Sequence, residues 1–250
     1  METSKSSKIR DAVCLLSGGM DSTYAAYWAM HNPKLQPRFT VFYHYGQKGA
    51  GFEWQASKKV ADELGVDALY YDVSGLSRWL QGTIMGGQDL PVDPHAEDHQ
   101  GRPASFIPGR NLVHLSLLGS LLYTTTLTDI VGGWNAVDVD YPDCTPEFLT
   151  AAAATIALAL GSMETIRIHA PGIAHTKTEI VKLGNDMGVP WELTRSCYDD
   201  SYRACGHCDS CLVRARAFYE NDMMDPAYHS VMEWRGVVAT LEKEGYLSNG

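Results

Sequence analysis

The chain of 250 residues has no apolar run close to the roughly 18 residues that a membrane-spanning helix needs. It is also poor in basic side chains, with 20 lysines and arginines against 30 aspartates and glutamates. Stable binding to nucleic acid needs a dense basic face, so we do not expect it here. The polar start over residues 1–10 lacks the apolar core of a signal peptide, and we interpret it as a flexible tail of a cytoplasmic protein.

Apolar residues, in contrast, make up 45% of the chain, which is enough for a sizeable core. Short apolar or β-branched runs alternate with helical patterns along the sequence. This alternation predicts an α/β fold in which a parallel five-stranded sheet carries helices on both faces. The α/β domain is expected over 11–190, with a flap at about 81–108 that is rich in Gly, Pro, His and Asp. The predicted strands lie at Ala12–Ser17, Arg38–Tyr45, Ala68–Val73, Asp129–Gly133 and Ile166–His169.

A glycine turn follows the first predicted strand, at Leu16–Thr23, with the sequence L-S-G-G-M-D-S-T. Glycines let the backbone turn its N–H groups toward an anion, and the next helix adds the positive end of its dipole. Asp21 and Ser22 are predicted to cap that helix from Thr23 onward, and the Asp21 carboxylate suits Mg²⁺. The pattern is neither G-x-x-x-x-G-K-[ST] nor G-x-G-x-x-G, which excludes a Walker loop and a dinucleotide fingerprint. We predict that this phosphate loop binds a phosphate group, which the family resemblance described below identifies as part of ATP, through Leu16, Ser17, Gly18, Gly19, Met20, Asp21, Ser22 and Thr23.

Four of the six cysteines crowd together in the spacing C-x7-C-x2-C-x2-C. Short Cys-x-x-Cys turns place two thiolates on one tetrahedral ion, and four thiolates suit structural Zn²⁺, with an iron–sulfur cluster as the lesser alternative. A complete shell of thiolates leaves no position for water. We therefore predict a structural site in a zinc-binding, helical C-terminal segment over 191–250. Its ligands are Cys197, Cys205, Cys208 and Cys211.

The phosphate loop resembles the S-G-G-x-D-S signature of the PP-loop ATP pyrophosphatases, which cleave ATP between the α and β phosphates and transfer AMP to an oxygen. With the cysteines, the chain resembles the 7-cyano-7-deazaguanine (preQ0) synthase family from about Val13 to Phe218. The resemblance implies a Rossmann-like PP-loop (HUP) fold over 11–190. The matching blocks are SGGMDST at Ser17–Thr23, FIPGRN at Phe106–Asn111, YPDCTPEF at Tyr141–Phe148, KTEIVKLG at Lys177–Gly184 and TRSCYDDSYRACGHCDSC at Thr194–Cys211.

This resemblance implies an ATP-dependent C–N ligase of queuosine or related 7-deazaguanine biosynthesis. Its substrates would be 7-carboxy-7-deazaguanine, ammonia and ATP with Mg²⁺. AMP transfer to the carboxylate makes a mixed anhydride, and ammonia displaces AMP to give the amide. A second ATP activates the amide oxygen, and loss of AMP leaves the nitrile. The family also implies a homodimer, for which the apolar stretch Val231–Val238 is either an interface helix or a helix docked on its own domain.

The family blocks suggest roles for further side chains. Arg110 is a fork donor suited to phosphate or carboxylate, and Lys177 can neutralise developing phosphate charge, so we predict them as catalytic residues with Asp21. Substrate contacts are predicted beyond the carboxyl end of a strand, where open α/β sheets bind ligands. Aspartates there can accept hydrogen bonds from a guanine-like base. The predicted substrate-binding residues are Asn111, Asp138, Tyr141 and Asp143.

One block departs from the family pattern. Residues 138–148 read DVDYPDCTPEF, one residue shorter than is usual in the family, with Thr145 in place of the usual arginine. One alternative is a related enzyme that stops at the amide or adenylates another base. An RNA-thiolating PP-loop transferase is another, against which the acidic balance counts. A third is a non-catalytic ATP- or zinc-dependent interaction protein.

Overall fold

The computed structural model describes residues 9–79, 101–102, 106–125, 127–135, 141–161 and 165–247. Most of the predicted tail, most of the flap and Asp138 lie outside these residues. Among the described helices, none has the length and apolar character needed to cross a membrane.

The centre of the molecule is a five-stranded parallel sheet, as predicted. The strands are β1 (Arg10–Leu15), β2 (Leu35–His44), β3 (Asp67–Asp72), β4 (Asp129–Val131) and β5 (Arg167–His169). Their order in the sheet is β3-β2-β1-β4-β5, so the chain moves outward in one direction and then returns past β1 to build the other half. The crevice beside β1, where the order reverses, is where open α/β sheets bind ligands.

Helices cover both faces of this sheet because successive side chains of a strand point to opposite sides. The helices are α1 (Met20–His31), α2 (Ala50–Leu64), α3 (Arg110–Thr125), α4 (Pro146–Leu160), α5 (Lys177–Asp186), α6 (Asp209–Tyr219) and α7 (Val231–Lys243), with 3₁₀ turns at Ser74–Trp79, Pro142–Cys144 and Trp191–Leu193. Ala12 and Cys14 of β1 pack in one buried cluster with α1, α2, α5 and α6, whereas Val13 packs in a second cluster with α3 and α4.

The predicted start of β2 is wrong. β2 begins at Leu35 and not at Arg38, and it contains Pro37. The pairing of β1 with β2 shifts register between Ala12 and Val13, opposite Pro37, because proline has no N–H to donate to the ladder.

The predicted caps of α1 are wrong as well. The helix begins at Met20 with Gly19 as its N-cap, and no side chain caps it. Asp21 and Ser22 therefore lie inside the first turn, where their side chains bond to other partners.

The C-terminal helices α6 and α7 form a small core of their own. Its buried members are Leu212, Ala215, Tyr228, Val237 and Leu241. The stretch proposed as an interface helix thus buries Val237 against its own chain. Its first two residues remain exposed, at 58% for Val231 and 82% for Met232.

Candidate active site and metal centre

The phosphate loop turns sharply between β1 and α1 because Gly18 has a φ of +80°, a backbone conformation that favours glycine. A Cβ atom at this position would lie 2.7 Å from both the carbonyl oxygen of Glu53 and the amide nitrogen of Ser57. Both atoms belong to the backbone of α2. Only glycine therefore fits between β1 and α2.

Hydrogen bonds hold the phosphate loop in place without a ligand. The Leu16 N–H donates to the Val41 carbonyl at 2.9 Å, and the Ser57 hydroxyl donates to the Leu16 carbonyl at 2.8 Å. Ser17 and Ser22 join their hydroxyls at 3.0 Å, and the Ser22 hydroxyl also accepts from the Ser17 N–H at 3.2 Å. The loop is thus preformed, which lowers the entropic cost of binding an anion.

Asp21 and Lys177, which are 156 residues apart in the sequence, meet at this loop. The Lys177 Nζ atom lies 2.5 Å from Asp21 Oδ2. The capping box of α5, in which Thr176 and Glu179 each accept from the other's backbone N–H, holds Lys177 at the first position of that helix. The second carboxylate oxygen, Asp21 Oδ1, is buried and has no hydrogen-bond partner. A buried carboxylate oxygen left unpaired suits a divalent cation.

Asn111 and Asp143 bind each other. The Asn111 N–H donates to Asp143 Oδ2 at 3.0 Å, while the Asn111 side-chain amide donates to the Asp143 carbonyl at 3.0 Å and to Cys144 Sγ at 3.4 Å. The side-chain N–H groups of Asn111 therefore already donate within the protein. The side-chain oxygen of Asn111 remains the atom that can accept a hydrogen bond from a base. Tyr141 stacks on Phe106, with ring centroids 5.8 Å apart.

Arg110 begins α3 and points its guanidinium toward Tyr45. Its Nη1 atom donates to the Tyr45 hydroxyl at 3.5 Å, and its guanidinium carbon lies 5.7 Å from the ring centre. Burial alone would lower the pKa of Arg110, but its surroundings, with Tyr45, Cys144 and Asp143, raise it. Arg110 therefore keeps its charge and can pair with a phosphate or a carboxylate.

These elements enclose a cavity of about 300 Å³ beside the phosphate loop, which we call the central cavity. It is lined by eight of the predicted site residues and by several residues to which the sequence analysis assigns no role. The predicted ones are Leu16, Ser17, Gly19, Met20, Asp21, Ser22, Arg110 and Asn111. Lys177 and Asp143 contact this lining through Asp21 and Asn111, whereas Gly18, Thr23 and Tyr141 are not part of it.

The sequence analysis missed several titratable side chains of the lining, among them Glu53, His114, Cys144 and Arg195. Burial, helped by the charge of Arg110, lowers the pKa of His114 to about 3, so its imidazole is neutral. Its Nε2 atom is buried without a partner. Burial and the charge of Asp143 raise the pKa of Cys144 to about 11, so it stays a thiol.

One available signal could have found Glu53. It lies in the first turn of the helix that follows β2, at the carboxyl end of a strand next to the switch point.

The four predicted metal ligands converge at the start of α6. Their sulfur atoms all lie within 4.8 Å of one another. Backbone N–H groups of Asp199 and Cys205 donate to Cys197 Sγ at 3.4 and 3.3 Å, and that of Cys208 donates to Cys205 Sγ at 3.3 Å. Such bonds favour thiolates, and four close thiolates fit one soft or borderline metal ion.

The segment that carries the four cysteines is hydrogen-bonded to the phosphate loop. The N–H of Arg195, two residues before the first cysteine ligand, donates to the Gly18 carbonyl at 2.8 Å. Arg195 and Ser196 also line the central cavity, as do Tyr198 and Ser210. The segment that carries the cysteines therefore forms one wall of the cavity.

Comparison with known proteins agrees with this geometry. The family described as queuosine biosynthesis protein QueC matches residues 11–222. A protein named 7-cyano-7-deazaguanine synthase from Ralstonia nicotianae is 39% identical over 222 residues, covering 86% of this chain and 96% of its own length. One of the same name from Trichodesmium erythraeum is 36% identical over 221 residues, covering 86% and 98%.

A solved complex of a 4-thiouridine synthetase with RNA and bound ATP has the same fold, with a TM-score of 0.50 and 17% identity over 95% of this chain. The present chain spans 52% of that protein, and the likeness concerns the fold alone. The relatives named above, in contrast, are matched over nearly their whole lengths. On this evidence the protein belongs to the QueC family of queuosine biosynthesis proteins.

Proposed function

We propose that this protein is an ATP-dependent ligase that converts 7-carboxy-7-deazaguanine and ammonia to 7-cyano-7-deazaguanine. The observation that carries the proposal is the meeting of Asp21 and Lys177 at a preformed phosphate loop, in a chain that belongs to the QueC family. This arrangement suits transfer of AMP because the loop supplies N–H donors, the lysine supplies positive charge, and the free Asp21 oxygen suits a cation.

In this proposal the phosphate loop, Leu16–Thr23, binds the phosphates of ATP. Asp21 would hold Mg²⁺ through its unpaired oxygen, and the ion would supply positive charge beside the phosphates when bound. Lys177 stabilises negative charge at the α-phosphate, and Arg110 orients the substrate carboxylate toward it. Binding two reactants in one cavity lowers the barrier chiefly by orientation.

The base is proposed to lie against the loop that precedes α4. Asn111 and Asp143 position each other, and the Asn111 carbonyl oxygen accepts a hydrogen bond from a ring or amino N–H of the base. Tyr141 covers the same side, where it already stacks on Phe106. Asp138, whose role rests on the family pattern alone, is proposed as a second acceptor.

The four-cysteine cluster is proposed to hold Zn²⁺ in a structural role. The donor set supports this, because four thiolates complete a tetrahedral shell. The ion would fasten the segment over 191–250 to the nucleotide-binding domain over 11–190, and with it the wall of the cavity formed by Arg195 and Ser196.

The reaction is tested with purified protein, ATP, ammonium and 7-carboxy-7-deazaguanine. The expected products are AMP, pyrophosphate and the nitrile, followed by mass spectrometry. Release of ADP and orthophosphate, or no AMP at all, would overturn the proposal.

A product that stops at the amide is a second candidate, and one observation favours it. Thr145, which replaces the usual arginine, caps α4 by accepting from the Phe148 N–H at 3.2 Å. A threonine hydroxyl that caps a helix stays at the helix start and cannot reach the substrate, whereas the longer arginine side chain can. The same assay decides between the two products by their mass.

A cytoplasmic homodimer is proposed on the family resemblance. Val231 and Met232, exposed at the start of α7, are apolar side chains that a second copy can cover. Sedimentation equilibrium of the wild type and Met232→Glu tests this. A monomeric wild type contradicts it.

A further inference from the structure

Glu53 places a carboxylate in a cavity that is otherwise suited to anions. Arg110 and Arg195 line the same space, and the phosphate loop lies directly against the backbone of Glu53 at Gly18. An acidic group here repels phosphate, so it is unfavourable for ATP binding alone. The adenylation machinery described above has no use for it, since Asp21 already provides the carboxylate at Lys177.

The side chain of Glu53 is held in position by a neutral group. The Gln47 amide donates to Glu53 Oε2 at 2.9 Å and to the Tyr43 carbonyl at 3.1 Å, while its oxygen accepts from the Tyr45 N–H at 2.9 Å. Within the described ranges, no lysine, arginine or histidine lies within ion-pair distance of Glu53. The carboxylate is thus oriented without being neutralised.

Burial leaves Glu53 a better base than an ordinary surface carboxylate. Burial raises the pKa of Glu53, while the hydrogen bond from Gln47 and the charges of Arg195 and Arg110 partly lower it again. Tyr45, which also faces this carboxylate, has a pKa raised by burial and remains a neutral phenol. A general base works best when its pKa lies near the working pH.

The proposed reaction needs such a base twice. When ammonia attacks the acyl adenylate, a C–N bond forms, the C–O bond to AMP breaks with its electron pair, and nitrogen must lose one proton. When the adenylated amide becomes the nitrile, its nitrogen loses both of its protons, the C–O bond to AMP breaks with its electron pair, and the C≡N bond forms. Both steps release a proton from nitrogen next to the phosphates.

We propose, on the basis of the function proposed above, that Glu53 is the general base that accepts a nitrogen proton in both steps that follow adenylation, amide formation and nitrile formation. Its neighbours fit this role, because the Gln47 amide donates to one carboxylate oxygen, Oε2, and not to the other. Arg110 and Arg195 then stabilise the departing AMP. Adenylation itself does not use Glu53.

The test separates the two stages. Exchange of pyrophosphate into ATP, dependent on 7-carboxy-7-deazaguanine, reports adenylation, and the amide and nitrile yields report the later stage. For Glu53→Gln we expect exchange within about threefold of wild type, and amide and nitrile formation slower by roughly 10²–10⁴-fold, the usual contribution of a general base. Glu63→Gln, exposed on the same helix, is the matched control and should match wild type in both stages.

A pH profile at constant free ammonia gives a readout that a structural role would not move. In wild type, amide formation should fall at acid pH as Glu53 becomes protonated, and in Glu53→Gln this limb should be absent. If Glu53→Gln fails to fold, Glu53→Asp is measured in the same way and should be slower in the later stage while it keeps the limb.

Three results would overturn the inference. They are wild-type rates of amide formation in Glu53→Gln, equal slowing of exchange and amide formation, and an unchanged acid limb. No substrate-dependent exchange by the wild-type protein would instead refute the proposed function.

Discussion

The phosphate loop and the four-cysteine cluster differ in what holds each of them together. The loop is held by its own chain, through backbone bonds to β2 and α2 and through serine hydroxyls. The cluster gathers four thiols within 4.8 Å, and N–H···S bonds support it. The first is organised by bonds within the protein. The second needs an ion, because four crowded thiolates repel one another without one.

The largest effect on stability is expected when the four-cysteine cluster loses its metal ion. Cys208→Ser removes one of four ligands, and structural zinc stabilises small domains by about 10 kcal/mol or more. We expect loss of the bound metal by atomic absorption and a large drop in the thermal midpoint. Cys14→Ala, on β1 and away from the cluster, should keep its metal. Full metal content in Cys208→Ser would contradict a four-thiolate site.

A smaller effect on stability, but a large one on rate, is expected at the loop. Lys177→Ala removes the cation beside Asp21, and loss of one such charge-stabilising donor typically lowers kcat by roughly 10²–10³-fold, or about 3–4 kcal/mol. The readout is substrate-dependent pyrophosphate exchange. Lys182→Ala, exposed on the same helix, is the control. Equal rates in both variants would show that the Asp21–Lys177 pair is structural.

The preformed turn itself is tested by Gly18→Ala. The added Cβ meets α2 backbone at 2.7 Å and must adopt a positive φ, which costs roughly 1–3 kcal/mol. We expect a lower urea midpoint together with weaker ATP binding by calorimetry. Gly51→Ala, where a Cβ has nothing within 4 Å, is the matched control. Unchanged ATP affinity would mean that the turn adapts to its ligand.

The smallest effect is expected away from both regions. Thr145→Ala removes the cap of α4 and should cost about 1 kcal/mol in unfolding free energy, measured by urea denaturation. Metal content and pyrophosphate exchange should stay at wild-type values. A marked loss of exchange would show that Thr145 contacts the substrate.

The sequence predicted what depends on residues close together in the chain. The sheet follows from short apolar runs between helical patterns, and the four ligands follow from Cys-x-x-Cys spacing. The caps of α1 were mispredicted because Asp21 and Ser22 prefer distant or backward partners, namely Lys177 and Ser17. No local pattern contains such a pairing.

The missed cavity residues show the same limit. Glu53 looks like one of several acidic residues on an amphipathic helix, and His114 like a polar residue on an apolar one. Their burial depends on how α2 and α3 pack beside β2, which single-sequence patterns do not encode. The sequence analysis assigned no role to Arg195, although its backbone N–H donates to the Gly18 carbonyl.

That bond has a consequence for how the protein is made and handled. A ribosome has synthesised every strand of the sheet before Arg195, Tyr198 and Ser210 exist, so the central cavity lacks one wall until these residues follow. A protease cut before this stretch would spare the sheet and still leave the central cavity without that wall.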